Sequence, residues 1–78
     1  MLADMFLDEM VIELKIMPMN SVVYAENEEG EHFKFRVRNR KLFLPDPKAY
    51  KENKDRKCVI TEIFYEEDEG LHIDVKVM

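Results

Sequence analysis

The chain has 78 residues, enough for one small domain (1–78) and too few for two with separate cores. Hydrophobic residues at 46% and charged ones at 37% place it among globular proteins and outside the disordered class. A net charge of -5 argues against indiscriminate binding to polyanions, the lone Cys58 against a disulfide scaffold, and the lack of long apolar runs against a membrane-spanning helix.

Residues 1–9 set Leu2, Met5 and Phe6, with Met10 beyond them, near helical spacing, which predicts one or two turns over an apolar patch. Residues 10–17, MVIELKIM, alternate Ile12, Leu14 and Ile16 with Glu13 and Lys15 and predict a strand, ended by Pro18 and Asn20. The next two β-rich runs, SVVYA at 21–25 and HFKFRVR at 32–38, flank an acidic stretch closed by Gly30. Phe33, Phe35 and Val37 alternate with Lys34, Arg36 and Arg38, the period of a half-buried strand. Gly30 offers the left-handed residue of a hairpin loop, and aligning apolar faces pairs Tyr24 with Phe33 and Val22 with Phe35.

Residues 41–44 suit a further short strand. In PDPKAYKENKDRK, Asp46 can cap a helix and Pro47 can take its first turn, which predicts a helix over about residues 47–54. The last two runs, CVITEIFY at 58–65 and LHIDVKV at 71–77, repeat the earlier pattern around Gly70, displaced by 40 positions. They predict a second hairpin, with Tyr65 opposite Leu71, Ile63 opposite Ile73 and Val59 opposite Val77. Ile60 and Phe64 then fall on the solvent side of their strand.

The expected fold is β-rich α+β: a five- to six-stranded antiparallel sheet or partly open barrel, one short helix, and an optional N-terminal one. Its strand-strand-strand-helix-strand-strand order resembles that of an OB-fold. The resemblance is one of layout, and it implies a single-strand-binding strip on the second and third strands.

Charge is segregated. The tips at 26–31 and 66–69 hold eight of the seventeen acids, whereas residues 34–57 hold ten of the twelve bases and three acids. That middle third is +7 and the remainder -12, which sum to the net -5. Such blocks mark candidate partner surfaces. Complementary tips and middle, with Ile60, Phe64 and the methionines as apolar centre, lead to the expectation of a non-catalytic protein-interaction module that can pair with itself as a homodimer. The alternative is RNA or single-stranded DNA on Lys34, Arg36, Arg38, Arg40 and Lys41, with Phe43 or Tyr50 as stacking neighbours. A further alternative is calcium at the carboxylates of Glu28, Glu29, Glu31, Glu67, Asp68 and Glu69. No nucleophile stands in a catalytic motif, so neither enzyme activity nor a cofactor is expected. The acidic start and the single cysteine place the expectation in the cytoplasm.

Overall fold

The computed structural model describes residues 5–17 and 20–78. Among these the chain forms β1 (Met5–Phe6), α1 (Leu7–Ile16), β2 (Ser21–Glu26), β3 (His32–Arg38), β4 (Lys41–Phe43), α2 (Pro47–Asn53), β5 (Lys57–Glu66) and β6 (Gly70–Val77). The strands join one sheet in the order β1-β5-β6-β2-β3-β4, curled into half of a barrel. This is the β-rich, partly open α+β architecture expected from the chain order. The sheet is not wholly antiparallel, however. At its centre β2 and β6 run parallel, Val23 beside Ile73 and Ala25 beside Val75, because the two hairpins lie side by side pointing in opposite directions, the first strand of one against the second strand of the other.

The inner face carries the core. Phe33, Phe35 and Val37 are buried while Lys34, Arg36 and Arg38 look outward, as the alternation predicts. Val23, Ala25, Ile73, Val75 and Val77 extend this apolar floor across the central strands. From α2, Ala49 packs onto it, and the Tyr50 ring meets Phe35 edge to face at 5.5 Å. Asp46 stands at the head of α2 with Pro47 following it, but its carboxylate makes no cap; Oδ2 accepts the Lys34 amide at 3.3 Å instead.

Residues 10–17 are not a strand. Leu7, Met10, Val11 and Leu14 are all buried, the i, i+3, i+4, i+7 set of a helix, and the segment closes over the sheet as α1. The alternation of Ile12, Leu14 and Ile16 was a second period in the same letters, and burial selected the helical one. Ile12 and Ile16 are left in solvent. Asp8 and Glu9 in the first turn and Lys15 in the last suit the helix dipole. The amides of Leu7 and Asp8 donate to the carbonyls of Arg56 and Lys54, which ties the head of α1 to the turn after α2. Of the expected N-terminal turns, Met1 and Leu2 lie outside the described residues, and Met5–Phe6 form β1 against Cys58 and Lys57.

Two registers differ from expectation, for separate reasons. In the first hairpin Ala25 faces Phe33 and Val23 faces Phe35, so Tyr24 and Val22 turn to the outer face. The loop at 27–31 sets this: the Asn27 amide donates to the Glu31 carbonyl, and the Glu31 amide donates to Asn27 Oδ1 at 2.9 Å. That closure makes Glu26 and His32 the first pair, and a shift of one residue turns every side chain over. In the second hairpin Tyr65–Leu71 and Ile63–Ile73 pair as expected, but a bulge between Ile60 and Glu62 sets Cys58, not Val59, opposite Val77. Ile60 therefore turns inward and packs half-buried against the core.

Candidate binding face

With one face of the sheet closed by helices, the outer face is where side chains remain available. Cross-strand registers arrange it in rows. One row reads Phe43, Arg36, Val22, His72, Phe64 from β4 to β5; the next reads Lys34, Tyr24, Asp74, Glu62 from β3 to β5; a third reads His32, Glu26, Lys76, Val59. Before the first row, Lys41 pairs with Arg38 at one side and Glu66 with Gly70 at the other.

Three rings stand stacked across β2, β6 and β5. The His72 imidazole lies between Tyr24, at 4.5 Å between ring centres, and Phe64, at 4.2 Å, both nearly parallel to it. Its Nε2 lies 2.9 Å from Asp74 Oδ1, while Glu66 approaches Nδ1 at 3.8 Å, beyond hydrogen-bond range. Tyr24 and Phe64 remain about two-fifths exposed and Phe43 about half. Val22, between Arg36 and His72, is buried although it lies on the outer side.

Charge divides along β2. On the β3–β4 side stand Lys34, Arg36, Arg38, Arg40 and Lys41; on the β6–β5 side stand Asp74, Glu62, Glu66 and the acids of the second tip, with Lys76 held by Glu26 of β2 at 3.2 Å. Arg36 is held by Glu69 at 2.7 Å. Among the described residues no ion pair engages Lys34, Arg38, Arg40 or Lys41. Arg40 is notable for its backbone. With Asn39 it forms the two-residue turn between β3 and β4, both at positive φ (51° and 65°), where glycine would be favoured at the second place. An arginine kept there at the expense of backbone strain adds a base to this edge.

The two acidic tips sit at opposite ends of the sheet, because β2 ends at its tip while the parallel β6 begins at the other. His32 and His72 accordingly stand four residues apart in the rows, roughly 13 Å, and do not meet. At the first tip Arg56 Nη1 and Nη2 reach Glu29 and Glu28 at 2.9 and 3.2 Å, and Asn27 Nδ2 donates to Glu31 at 2.9 Å. Asn53, buried, links this tip to α2 through Arg56 and Asn27. At the second tip Glu69 is taken by Arg36, and Glu67 and Asp68 make no ion pair among the described residues. No group of three or more His, Cys, Asp and Glu side chains is set to hold a metal ion among the described residues. A divalent ion at Glu28 and Glu29 would have to displace Arg56.

The available nucleophiles are elsewhere. Burial, with Glu9 nearby, pushes the Cys58 thiol up to about 11. Ser21 is buried, and Thr61 Oγ1 donates to the Asp74 carbonyl. Tyr50 is also raised, by burial first and then by Asp8 and Asp55. It belongs to the core, so Phe43 is the base-side ring that lies on the face.

Of the residues singled out in the sequence, the outer face gathers Lys34, Arg36, Arg38, Lys41 and Phe64, with Arg40 at its edge. Ile60 is not among them. His72 and Asp74 stand on the outer side that the alternation of residues 71–77 predicts, whereas Tyr24 and its stack with His72 join the site unforeseen, because they depend on a register and on the β2–β6 seam, both set far from the residues themselves. No protein-family description, curated protein or solved structure matches this chain. No helix among the described residues is long and apolar enough to cross a membrane.

Proposed function

We propose that the protein is a small non-catalytic binding module whose working surface is the outer face of the sheet, and whose partner is a protein surface of mixed charge. The observation that carries this reading is the placing of Phe43, Tyr24 and Phe64, open to solvent, on a face with bases on one side and acids on the other. Rings at the centre and charges at the rim are the anatomy of a protein interface. The strained Arg40 supports it, since stability is given up there to keep a charge. The non-catalytic part is supported by the hidden Cys58 and Ser21 and the occupied Thr61. The test is amide shift mapping in ¹⁵N-labelled protein as its own concentration is raised and as an oligonucleotide is added. Shifts at Lys34, Arg36, His72 and Asp74 are expected; shifts confined to α1, or none, would contradict the reading.

Single-stranded nucleic acid on the basic side is the second reading. It is favoured by two neighbourhoods: Tyr24 lies beside Lys34 in one row, and Phe43 beside Arg36 in another. Each couples a ring for base stacking with a cation for phosphate. Binding that weakens with salt and is lost in Arg36→Glu/Arg38→Glu would favour it; no binding at low salt would remove it.

A further inference from the structure

We infer that the protein partner of the outer face is a second copy of this chain, packed face to face about a twofold axis lying along β2. The inference rests on the reading of that face as the working surface. A twofold interface sets a patch against itself, so the patch must complement itself. Here it does so about one line. Rotation about β2 exchanges the basic side with the acidic side and keeps the rows in step. Lys34 then faces Asp74 of the second copy, Lys41 faces Glu66, and Phe43 faces Phe64. Tyr24 meets its own counterpart at the axis. A twofold axis across the strands would instead set β3 upon β3, base against base.

Two further observations fit. The pairs that the face satisfies within one chain, Arg36 with Glu69 and Lys76 with Glu26, leave Lys34, Arg38 and Lys41 without an ion-pair partner among the described residues. And the central line is apolar in its first two rows, Val22 and Tyr24 on β2, flanked by His72 and Phe64; in the third row Glu26, already held by Lys76 at 3.2 Å, meets its own counterpart. The outward curve of a half barrel brings the two faces closest along β2, β3 and β6 and leaves the β4 and β5 residues as a looser rim, so the dimer is small and weak, micromolar or weaker.

The experiment is a charge swap read by sedimentation velocity at low salt. Lys34→Glu/Lys41→Glu makes the rim acidic on both sides, and Asp74→Lys/Glu66→Lys makes it predominantly basic; circular dichroism checks that each is folded. The wild-type chain is expected to dimerise reversibly and more weakly as salt rises. Each variant alone is expected to lose at least about tenfold in affinity, and their equimolar mixture to recover it. A mixture that stays monomeric, variants that dimerise like wild type, or a wild-type dimer indifferent to salt would overturn the arrangement. A wild-type chain monomeric at millimolar concentration also overturns it. If an oligonucleotide then moves the outer-face amides, the face stands as a nucleic-acid surface and only the second copy is lost. If nothing moves them, the reading beneath falls too.

Discussion

The two hairpins share a sequence pattern and a left-handed glycine, yet the chain secures them differently. The first, β2–β3, is regular, sends Phe33 and Phe35 into the core, and is held at its tip by side chains, Arg56 and Asn53 on Glu28, Glu29 and Asn27. The second, β5–β6, is bulged and sends Phe64 and His72 outward. Its tip is held by one ion pair, Glu69 with Arg36, and by backbone: the Leu71 amide donates to the Asn20 carbonyl at 2.9 Å, and Gly70 lies against the same residue. Similar letters thus send the phenylalanines of the first hairpin into the core and the Phe64 and His72 rings of the second onto the binding face. What differs is the loop closure and the bulge, each of which decides which side of the strand meets water.

Substitutions separate the two roles, and the largest effect belongs to the first hairpin. Phe35→Ala empties a fully buried site and removes the Tyr50 contact, a loss of about 3–5 kcal/mol. For a chain this short that approaches total stability, and chemical denaturation is expected to find it largely unfolded. Phe64→Ala, on the second hairpin, removes a half-exposed ring and is expected to cost about 1 kcal/mol while weakening association. Equal losses from the two would erase the distinction.

The glycines come next. Both have positive φ, +82° at Gly30 and +86° at Gly70, so either alanine pays left-handed strain of about 1 kcal/mol. A Cβ at Gly30 meets nothing within 4 Å, whereas at Gly70 it would fall 2.9 Å from the Asn20 carbonyl oxygen. Gly70→Ala is therefore expected to cost about 2–3 kcal/mol in all, clearly more than Gly30→Ala, by thermal or urea unfolding.

Cys58 offers a pH handle on the second hairpin. Its folded-state thiol is raised to about 11 from 9.0, so folding favours the protonated form. The contribution is whole below pH 9 and is lost as pH climbs through 11, at most about 3 kcal/mol. Denaturation midpoints should fall over that window in wild type and stay flatter in Cys58→Ala, beyond that variant's uniform loss. The smallest effect is a gain: Arg40→Gly relieves the turn and should stabilise by about 0.5–1 kcal/mol, with weaker association if the base there serves the face.

Much of this was legible from period and turn chemistry. The alternation of Phe33, Phe35 and Val37 fixed the inward side of β3, the glycines marked both turns, and Asp46 with Pro47 marked the start of α2. The misreadings have a common origin. Residues 7–16 satisfy both a two-residue and a helical period, and only the burial of Leu7 and Met10 beneath the fold decides between them. The outward turn of Tyr24 depends on one side-chain hydrogen bond in a loop, from the Glu31 amide to Asn27. The Tyr24–His72–Phe64 stack further requires β2 to lie beside β6, residues about fifty apart in sequence, which no local pattern encodes. The face was thus half visible: its bases were in the alternation, its rings were in the topology.

Sedimentation equilibrium on two doubly substituted chains tests the central claim, that the outer face is the surface that binds. Tyr24→Ser/Phe64→Ser opens the ring stack on that face, and Ile12→Ser/Ile16→Ser clears the exposed apolar pair on α1. The first is expected to remain folded and sediment as a monomer while the second associates like wild type; association retained by the first and lost by the second would contradict the account.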